Sequence, residues 1–256
     1  MLGKTHMATG LLVSIVTLPM VEVIRPQAWL SQASHGNFVN MEMAALWIGL
    51  GIVGSILPDL DEFHSIGTRK VEAVVRTILI LFFLLLTVQH SGGFTTLSFI
   101  LLFAGIATLL GGETARKISM LMMAMACMVL AFLNAKLGTD FLTGMFLLAA
   151  WSTVTAFVAH RTFTHSLMGL IVLGWGLGLA LLPLHMLLLT YPVVFGYLVH
   201  LLADSVSGGI PVLWPLSLGE PKRLGIRLVK TGGMLDHLVG LASLAATVVL
   251  AMRYWH

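Results

Sequence analysis

Long apolar stretches follow one another along almost the whole chain, and few charged residues interrupt them. Hydrophobic residues make up 58% of the 256 residues, charged residues only 10%, and the mean hydropathy is +0.98. A soluble domain carries about 25% charged residues, so this composition excludes an ordinary soluble fold. Successive apolar stretches near twenty residues long are typical of transmembrane helices. The predicted fold is an all-α, polytopic integral membrane helical bundle.

Nine hydrophobic segments are predicted from the pattern. They run roughly over 7–24, 43–57, 72–88, 94–110, 118–134, 140–159, 166–182, 184–203 and 236–252. The second is short for a full crossing and is compatible with a tilted or re-entrant segment. No linker or repeat divides the chain, so residues 1–256 are predicted to form one transmembrane domain with a cytoplasmic or interfacial loop at about 205–235. The single cysteine excludes an intramolecular disulfide.

The distribution of basic residues predicts the orientation of these segments. With the N-terminus inside, eleven of the 14 Lys and Arg residues fall on the inner side, and only Arg25, Lys136 and Arg253 fall outside. We therefore expect a multi-pass membrane protein with its N-terminus in the cytoplasm. The net charge of +3 then reflects topology and does not indicate a nucleic-acid partner.

The same orientation places seven candidate metal ligands at one depth, at the inner ends of five segments. They are His6, Asp59, Asp61, His160, His165, His200 and Asp204. Such residues are costly near lipid unless they are paired or liganded. Whether they converge laterally depends on the tertiary structure.

Two pairs of candidate ligands have informative spacing. His200 and Asp204 are four residues apart, so they share a helix face and could bind one ion or orient each other. The alternative is a buried hydrogen bond at a helix end. Asp59 and Asp61 follow Pro58, which disfavours helix at the preceding residue. In an extended turn both carboxylates would face one centre, whereas the alternative is a solvated helix terminus.

The motif around His160 and His165 has a spacing that does not suit one helical face. We expect His160 to close the sixth segment and His165 to open the seventh, with Thr164 as the N-cap. Arg161 could hold an anionic oxygen, because a guanidinium matches phosphate geometry. Its alternative role is a positively charged anchor on the inner side. Ser166 is interpreted as a capping or supporting residue.

The mixture of imidazole and carboxylate ligands indicates the chemistry. It favours Zn, with Mn or Fe as alternatives, over Ca or Mg. Seven ligands exceed the needs of one tetrahedral ion, so one or two ions are expected. A two-metal site suits hydrolysis of a phosphate ester. In that interpretation Asp59 or Asp61 bridges metals or acts as base, and Arg161 steadies the anion.

Two features near the C-terminus complete the candidates. Asp236 opens the last segment, where the helix dipole favours a carboxylate, so we interpret it as structural. The loop at about 205–235 combines Trp214 with Lys222, Arg223, Arg227 and Lys230. Aromatic and basic residues together favour the headgroup zone of an anionic leaflet. The alternative is a plain cytoplasmic loop.

Several motifs in this order resemble the YdjM-type family of inner-membrane, metal-dependent hydrolases, some of whose members are LexA-regulated. They are Gly3-Lys4-Thr5-His6, Pro58-Asp59-Leu60-Asp61, His160-Arg161-x-x-Thr164-His165-Ser166, His200-x-x-x-Asp204 and Gly209–Pro215. The resemblance implies a metal-dependent hydrolase, distantly similar to zinc-dependent phospholipases C. By motif match it implies metal binding by the seven ligands given above.

The leading hypothesis is a membrane-bound, metal-dependent hydrolase that acts at the cytoplasmic leaflet on a lipid or lipid-linked phosphoester, with membrane lipid as its partner. A transporter or metal permease is the alternative from another class, but a transport path should place ionisable residues at several depths. A third hypothesis is a non-catalytic membrane protein whose polar helix ends cap and pair. The oligomeric state is not indicated by the sequence.

Overall fold

The computed structural model describes residues 1–20, 41–61, 112–159, 161–216, 223–226 and 228–254. It contains seven α-helices in these ranges. They are α1 (Gly3–Thr17), α2 (Met41–Ile56), α3 (Gly112–Leu133), α4 (Thr139–Phe157), α5 (Leu167–Leu181), α6 (Thr190–Ser207) and α7 (Met234–Tyr254). The described residues contain no strand, only an isolated antiparallel bridge between Ile210 and Leu224. The all-α prediction is therefore confirmed.

Within the described ranges, four helical stretches are long and apolar enough to cross a membrane. They are Thr139–Phe157, Leu167–Leu184, Leu187–Ser207 and Met234–Arg253. Met43–Asp59 and Lys117–Leu133 are shorter apolar helices. The prediction of nine segments is not confirmed, and its segments at 72–88 and 94–110 lie outside the described residues. Helix α2 has 16 residues and is therefore about 24 Å long, which is less than the roughly 30 Å of a hydrocarbon core.

Several predicted boundaries differ from the structure; the segment predicted to start at 118, for example, begins at Gly112 in α3. The predicted segment 7–24 corresponds to α1, which already begins at Gly3. The predicted segment 184–203 starts too early, because α6 begins at Thr190. Short 3-10 turns at Leu182–Leu184 and Leu187–Leu189 precede it, and His185 between them has a left-handed backbone with φ 57°. Apolar content predicted the segment correctly but could not detect this break.

The chain divides into two compact units, and the first comprises Met1–Leu57, Leu188–Gly209 and Gly225–His256. Within it, α1 packs against α2, α6 and α7, and α2 packs against α6. Small residues permit close approach of the backbones. A Cβ added at Gly196 of α6 would collide with the carbonyl oxygen of Gly51, and one at Gly54 would collide with that of Val193. Sequence position alone gives no indication of which glycines form these contacts.

One end of this first unit is closed by an apolar cluster around Trp47. Leu18 and Ala44 are the other buried members. Trp47 is fully buried, and its indole Nε1 donates a 3.1 Å hydrogen bond to Thr17 Oγ1. A buried indole N–H needs such a partner, so the contact ties α2 to the end of α1.

The second unit comprises Pro58–Leu187 and Ile210–Leu224. Helix α4 packs against both α3 and α5. The core of this second unit contains mostly small and medium side chains: Ala124, Cys127, Ala131, Phe141, Met145, Ala149 and Ala180. The Trp151 indole donates to the Gly169 carbonyl at 3.0 Å, and Leu167 N donates to Val212 O at 3.0 Å. These bonds hold the turn before α5, which carries the motif around His165.

Candidate metal centre

The last turns of α6 carry the first pair of candidate ligands. His200 and Asp204 are both buried, and His200 Nε2 lies 3.6 Å from Asp204 Oδ2. The four-residue spacing places both on one helical face. The predicted proximity of this pair is confirmed.

The orientation of the His200 ring is set by the neighbouring helix α2. Its Nδ1 lies 2.8 Å from the carbonyl oxygen of Ser55. A carbonyl oxygen only accepts, so Nδ1 carries a proton, and in the neutral ring the lone pair is then on Nε2. Histidines that bind metals commonly donate their second nitrogen to a carbonyl or carboxylate in this way. The sequence alone gave no sign of the role of Ser55, because the contact uses a backbone atom 145 residues away.

His6 joins this pair from the first turn of α1. Its ring stacks on that of His200, with centroids 3.8 Å apart and an interplanar angle of 24°. Its Nε2 lies 3.1 Å from Asp204 Oδ1, so the two oxygens of Asp204 face two different imidazoles. The Met1 amino group lies 2.6 Å from the same Oδ1. Among the described residues neither ring nitrogen of His6 has a hydrogen-bond partner with good geometry, although both are buried.

The second unit contains a separate pair, Asp59 and His165. His165 is fully buried, and its Nε2 lies 3.4 Å from Asp59 Oδ1. Its Nδ1 lies 3.1 Å from the hydroxyl of Thr164, which is also buried. The hydroxyl can accept from Nδ1, and Nε2 then faces the carboxylate, as it does in His200.

The predicted N-cap of α5 is wrong. Ser166, not Thr164, is the capping residue: its Oγ accepts a 3.1 Å hydrogen bond from Gly169 N and donates at 2.7 Å to Phe163 O. The helix consequently starts at Leu167, and His165 lies in the turn before it. Either hydroxyl residue satisfies the sequence preference, so the tertiary environment decided between them.

The predicted extended turn after Pro58 is also wrong. Leu57–Asp61 form a 3-10 helix. Successive residues of a 3-10 helix are rotated by about 120°, so residues two apart do not share a direction. Asp59 is buried, whereas the side chain of Asp61 lies outside the described residues. The joint orientation of the two carboxylates is therefore not supported by this backbone.

Two further members of the predicted site, and Asp236, which we interpret as structural, have different outcomes. His160 lies outside the described residues. Arg161 is partly exposed and has a left-handed backbone with φ 59°, and its role in holding an anion stays a prediction. Asp236 is buried at the start of α7, in agreement with the structural interpretation. Besides its place in that helix start, its Oδ2 makes a second contact by accepting a 3.0 Å hydrogen bond from Leu2 N. Sequence reasoning missed that second contact, because no local pattern indicates it.

Each unit thus buries one His–Asp pair. Asp59, His165, His200 and Asp204 are all buried and are side chains of the kind that could hold a metal ion. The buried ring nitrogens of His6, which have no well-aligned hydrogen-bond partner in the described part of the chain, lie beside Asp204 and fit the same chemistry, since such groups are costly without a partner. Zn, Mn and Fe all accept imidazole and carboxylate ligands, so these residues fit a divalent cation.

Apolar helices that bury His and Asp side chains define a class, namely helical membrane proteins with a candidate metal centre. The chain matches the family model described as YdjM inner membrane protein over residues 1–255, and it therefore belongs to that family. This confirms the resemblance of the motifs. No curated protein and no solved structure matches the chain.

Proposed function

We propose that this protein is a metal-dependent hydrolase of the inner membrane that cleaves a lipid or lipid-linked phosphoester at the cytoplasmic leaflet. The cluster of His6, His200 and Asp204 is the observation that carries the proposal. Three ionisable side chains at 0–3% exposure lie within 4 Å of one another in an apolar helical protein. Packing alone gives little reason for such a costly arrangement, whereas a bound cation would compensate it.

The metal ligands in this proposal are the seven residues predicted above, with Zn, or alternatively Mn or Fe, as the ion. Two described groups support it: His6, His200 and Asp204 in one unit, and Asp59 with His165 in the other. When bound, a divalent cation supplies Lewis acidity and lowers the pKa of water. Each group could bind an ion of its own.

The protein's own side chains would perform the remaining tasks. The carboxylate of Asp59 or Asp61 could accept the proton of the attacking water. Arg161 lies four residues before His165 in the sequence, and its guanidinium could hold the phosphoryl oxygens. The Ser55 carbonyl keeps the proton of His200 on Nδ1, so that Nε2 stays available for the ion.

The substrate class in this proposal follows from charge and location. A multi-pass topology with the N-terminus inside puts the predicted ligands at the cytoplasmic leaflet. The loop at about 205–235 is basic, and its described residues include the exposed side chains of Arg223 and Lys230. Basic residues near a leaflet attract anionic headgroups by about 1 kcal/mol each. A membrane lipid with a phosphate group is therefore the proposed substrate class.

Metal content tests the proposal first. The detergent-purified protein and its His200→Ala variant would be analysed for Zn, Mn and Fe after reconstitution and desalting. We expect one or two equivalents in the wild type and a loss in the variant. The matched control is His237→Ala, because His237 is exposed on α7 and should leave the content unchanged. A metal-free wild type would contradict the metal centre, and so would equal metal content in the wild type and in His200→Ala.

Activity is tested next on vesicles of phosphatidylethanolamine and phosphatidylglycerol mixed with the protein. Release of the water-soluble headgroup, with or without its phosphate, should require the ion and should disappear after chelation and in His200→Ala. Retained metal without release from either lipid would argue against the phospholipid substrate class. Metal-dependent ion flux into sealed vesicles would instead favour the transporter alternative.

A further inference from the structure

Asp236 lies in the first turn of α7, and its side chain is fully buried. Its Oδ2 accepts two backbone hydrogen bonds, from Gly232 N at 2.8 Å and from Leu2 N at 3.0 Å. Gly232 has φ 74°, a left-handed conformation that glycine adopts readily. One carboxylate oxygen thus caps the start of α7 and at the same time binds the start of α1.

Helix α1 depends on this outside acceptor. Leu2 is its N-cap residue, and an aliphatic side chain cannot cap a helix. The N–H groups at a helix start have no partner within the helix, and Asp236 satisfies one of them. A second hydrogen bond connects α1 to α7: Thr5 Oγ1 donates to the carbonyl oxygen of Asp236 at 3.4 Å.

His6 follows directly from this anchored end. Its N–H donates to the carbonyl of Leu2 at 3.1 Å, so its ring lies one helical turn beyond the residue that Asp236 holds. The ring then stacks on His200 and faces Asp204. Rotation of α1 about its axis would move this ring away from both partners. Capping of α7 alone requires only the Gly232 bond and does not account for the bond to Leu2.

We infer that Asp236 is a positioning residue that holds His6 in the candidate metal centre by anchoring the start of α1. The inference about ring placement is independent of metal. The effect that we expect Asp236 to have on metal affinity rests on the proposed function. The Oδ1 atom of Asp236 has no hydrogen-bond partner in the described part of the chain. The side-chain hydrogen bonds of Asp236 given above are therefore the two that Oδ2 accepts, at the starts of α7 and α1.

Chemical labelling of histidines tests the placement without a metal. The chelator-treated protein in detergent would be exposed to diethylpyrocarbonate, and labelling of each histidine would be followed by mass spectrometry. In the wild type His6 should react far more slowly than the exposed His237. In Asp236→Ala the His6 rate should approach that of His237, while His165 and His200 stay protected. Asp236→Asn keeps an acceptor oxygen and should give an intermediate rate.

The matched control is Asp140→Ala, because Asp140 lies in the first turn of α4 but is exposed. It should leave labelling of His6 unchanged. Wild-type protection of His6 in Asp236→Ala would overturn the inference. So would equal loss of protection at His6, His165 and His200, since that result indicates general unfolding and not a local role.

Metal affinity provides the second arm. Loss of an outer-shell partner commonly lowers affinity about 10- to 100-fold, and Asp236→Ala should lower the Zn affinity of the wild type by such a factor. In a His6→Ala background the same substitution should cost nothing further. Equal losses in both backgrounds would show that Asp236 does not act through His6. A wild type that binds none of Zn, Mn and Fe would refute the proposed function alone, while the labelling result would still decide the placement.

Discussion

Replacing Gly196 by alanine tests how the helices of the first unit support the candidate centre. Gly196 lies one turn before His200 on α6 and faces α2. A methyl group there would collide with the Gly51 carbonyl oxygen and approach the Ser55 N to 2.8 Å. These are backbone atoms, which cannot rotate away as a side chain can. We therefore expect α2 and α6 to move apart.

The size of the effect follows from this overpacking. An extra methyl group in a well-packed interior typically costs about 1–3 kcal/mol, and each 1.4 kcal/mol is a factor of about ten. The equilibrium constant for folding should therefore fall by roughly 5- to 150-fold. Separation of the helices also lengthens the 2.8 Å contact between His200 Nδ1 and Ser55 O. Metal retention should thus fall together with stability.

The assay is unfolding in mixed detergent micelles with increasing SDS, followed by circular dichroism and by metal content. The matched control is Gly49→Ala in α2, where an added Cβ meets no atom of the described residues within 4 Å. This control should be neutral or stabilising by up to about 1 kcal/mol, because alanine favours helix over glycine. If Gly196→Ala unfolds at the same SDS fraction as Gly49→Ala, the described packing of α2 against α6 is incorrect.

Substitutions at two further residues test the turn before α5. Ser166→Ala removes the N-cap, and the loss should destabilise the protein by about 1 kcal/mol in the same SDS titration. Ser166→Asn should restore most of it, and an unaffected alanine variant would speak against the capping assignment. Thr164→Val removes the hydroxyl beside His165 Nδ1, and metal affinity should fall by about tenfold or more. Thr164→Ser should bind as the wild type does, and equal binding by the valine variant would exclude a role for the hydroxyl.

Local pattern predicted much of the fold because helices depend on composition over short windows. Seven of the nine predicted segments correspond to helices in the structure, and the other two lie outside the described residues. The spacing of His200 and Asp204 likewise predicted their shared face, since four residues make about one turn. Boundaries were less accurate where a turn had the same apolar composition as the helix beside it, as before α6.

The sequence by itself determined the class of protein, the helical segments and the chemical types of the candidate ligands, because hydropathy and i,i+4 spacing are local properties. Only the tertiary structure decided which distant groups meet. The stacking of His6 on His200, the Ser55 carbonyl at His200 Nδ1 and the bond from Leu2 to Asp236 each join residues far apart in the chain. Such contacts depend on how closely helices approach, and that distance is set by small residues such as Gly51 and Gly196, whose partners no local pattern specifies.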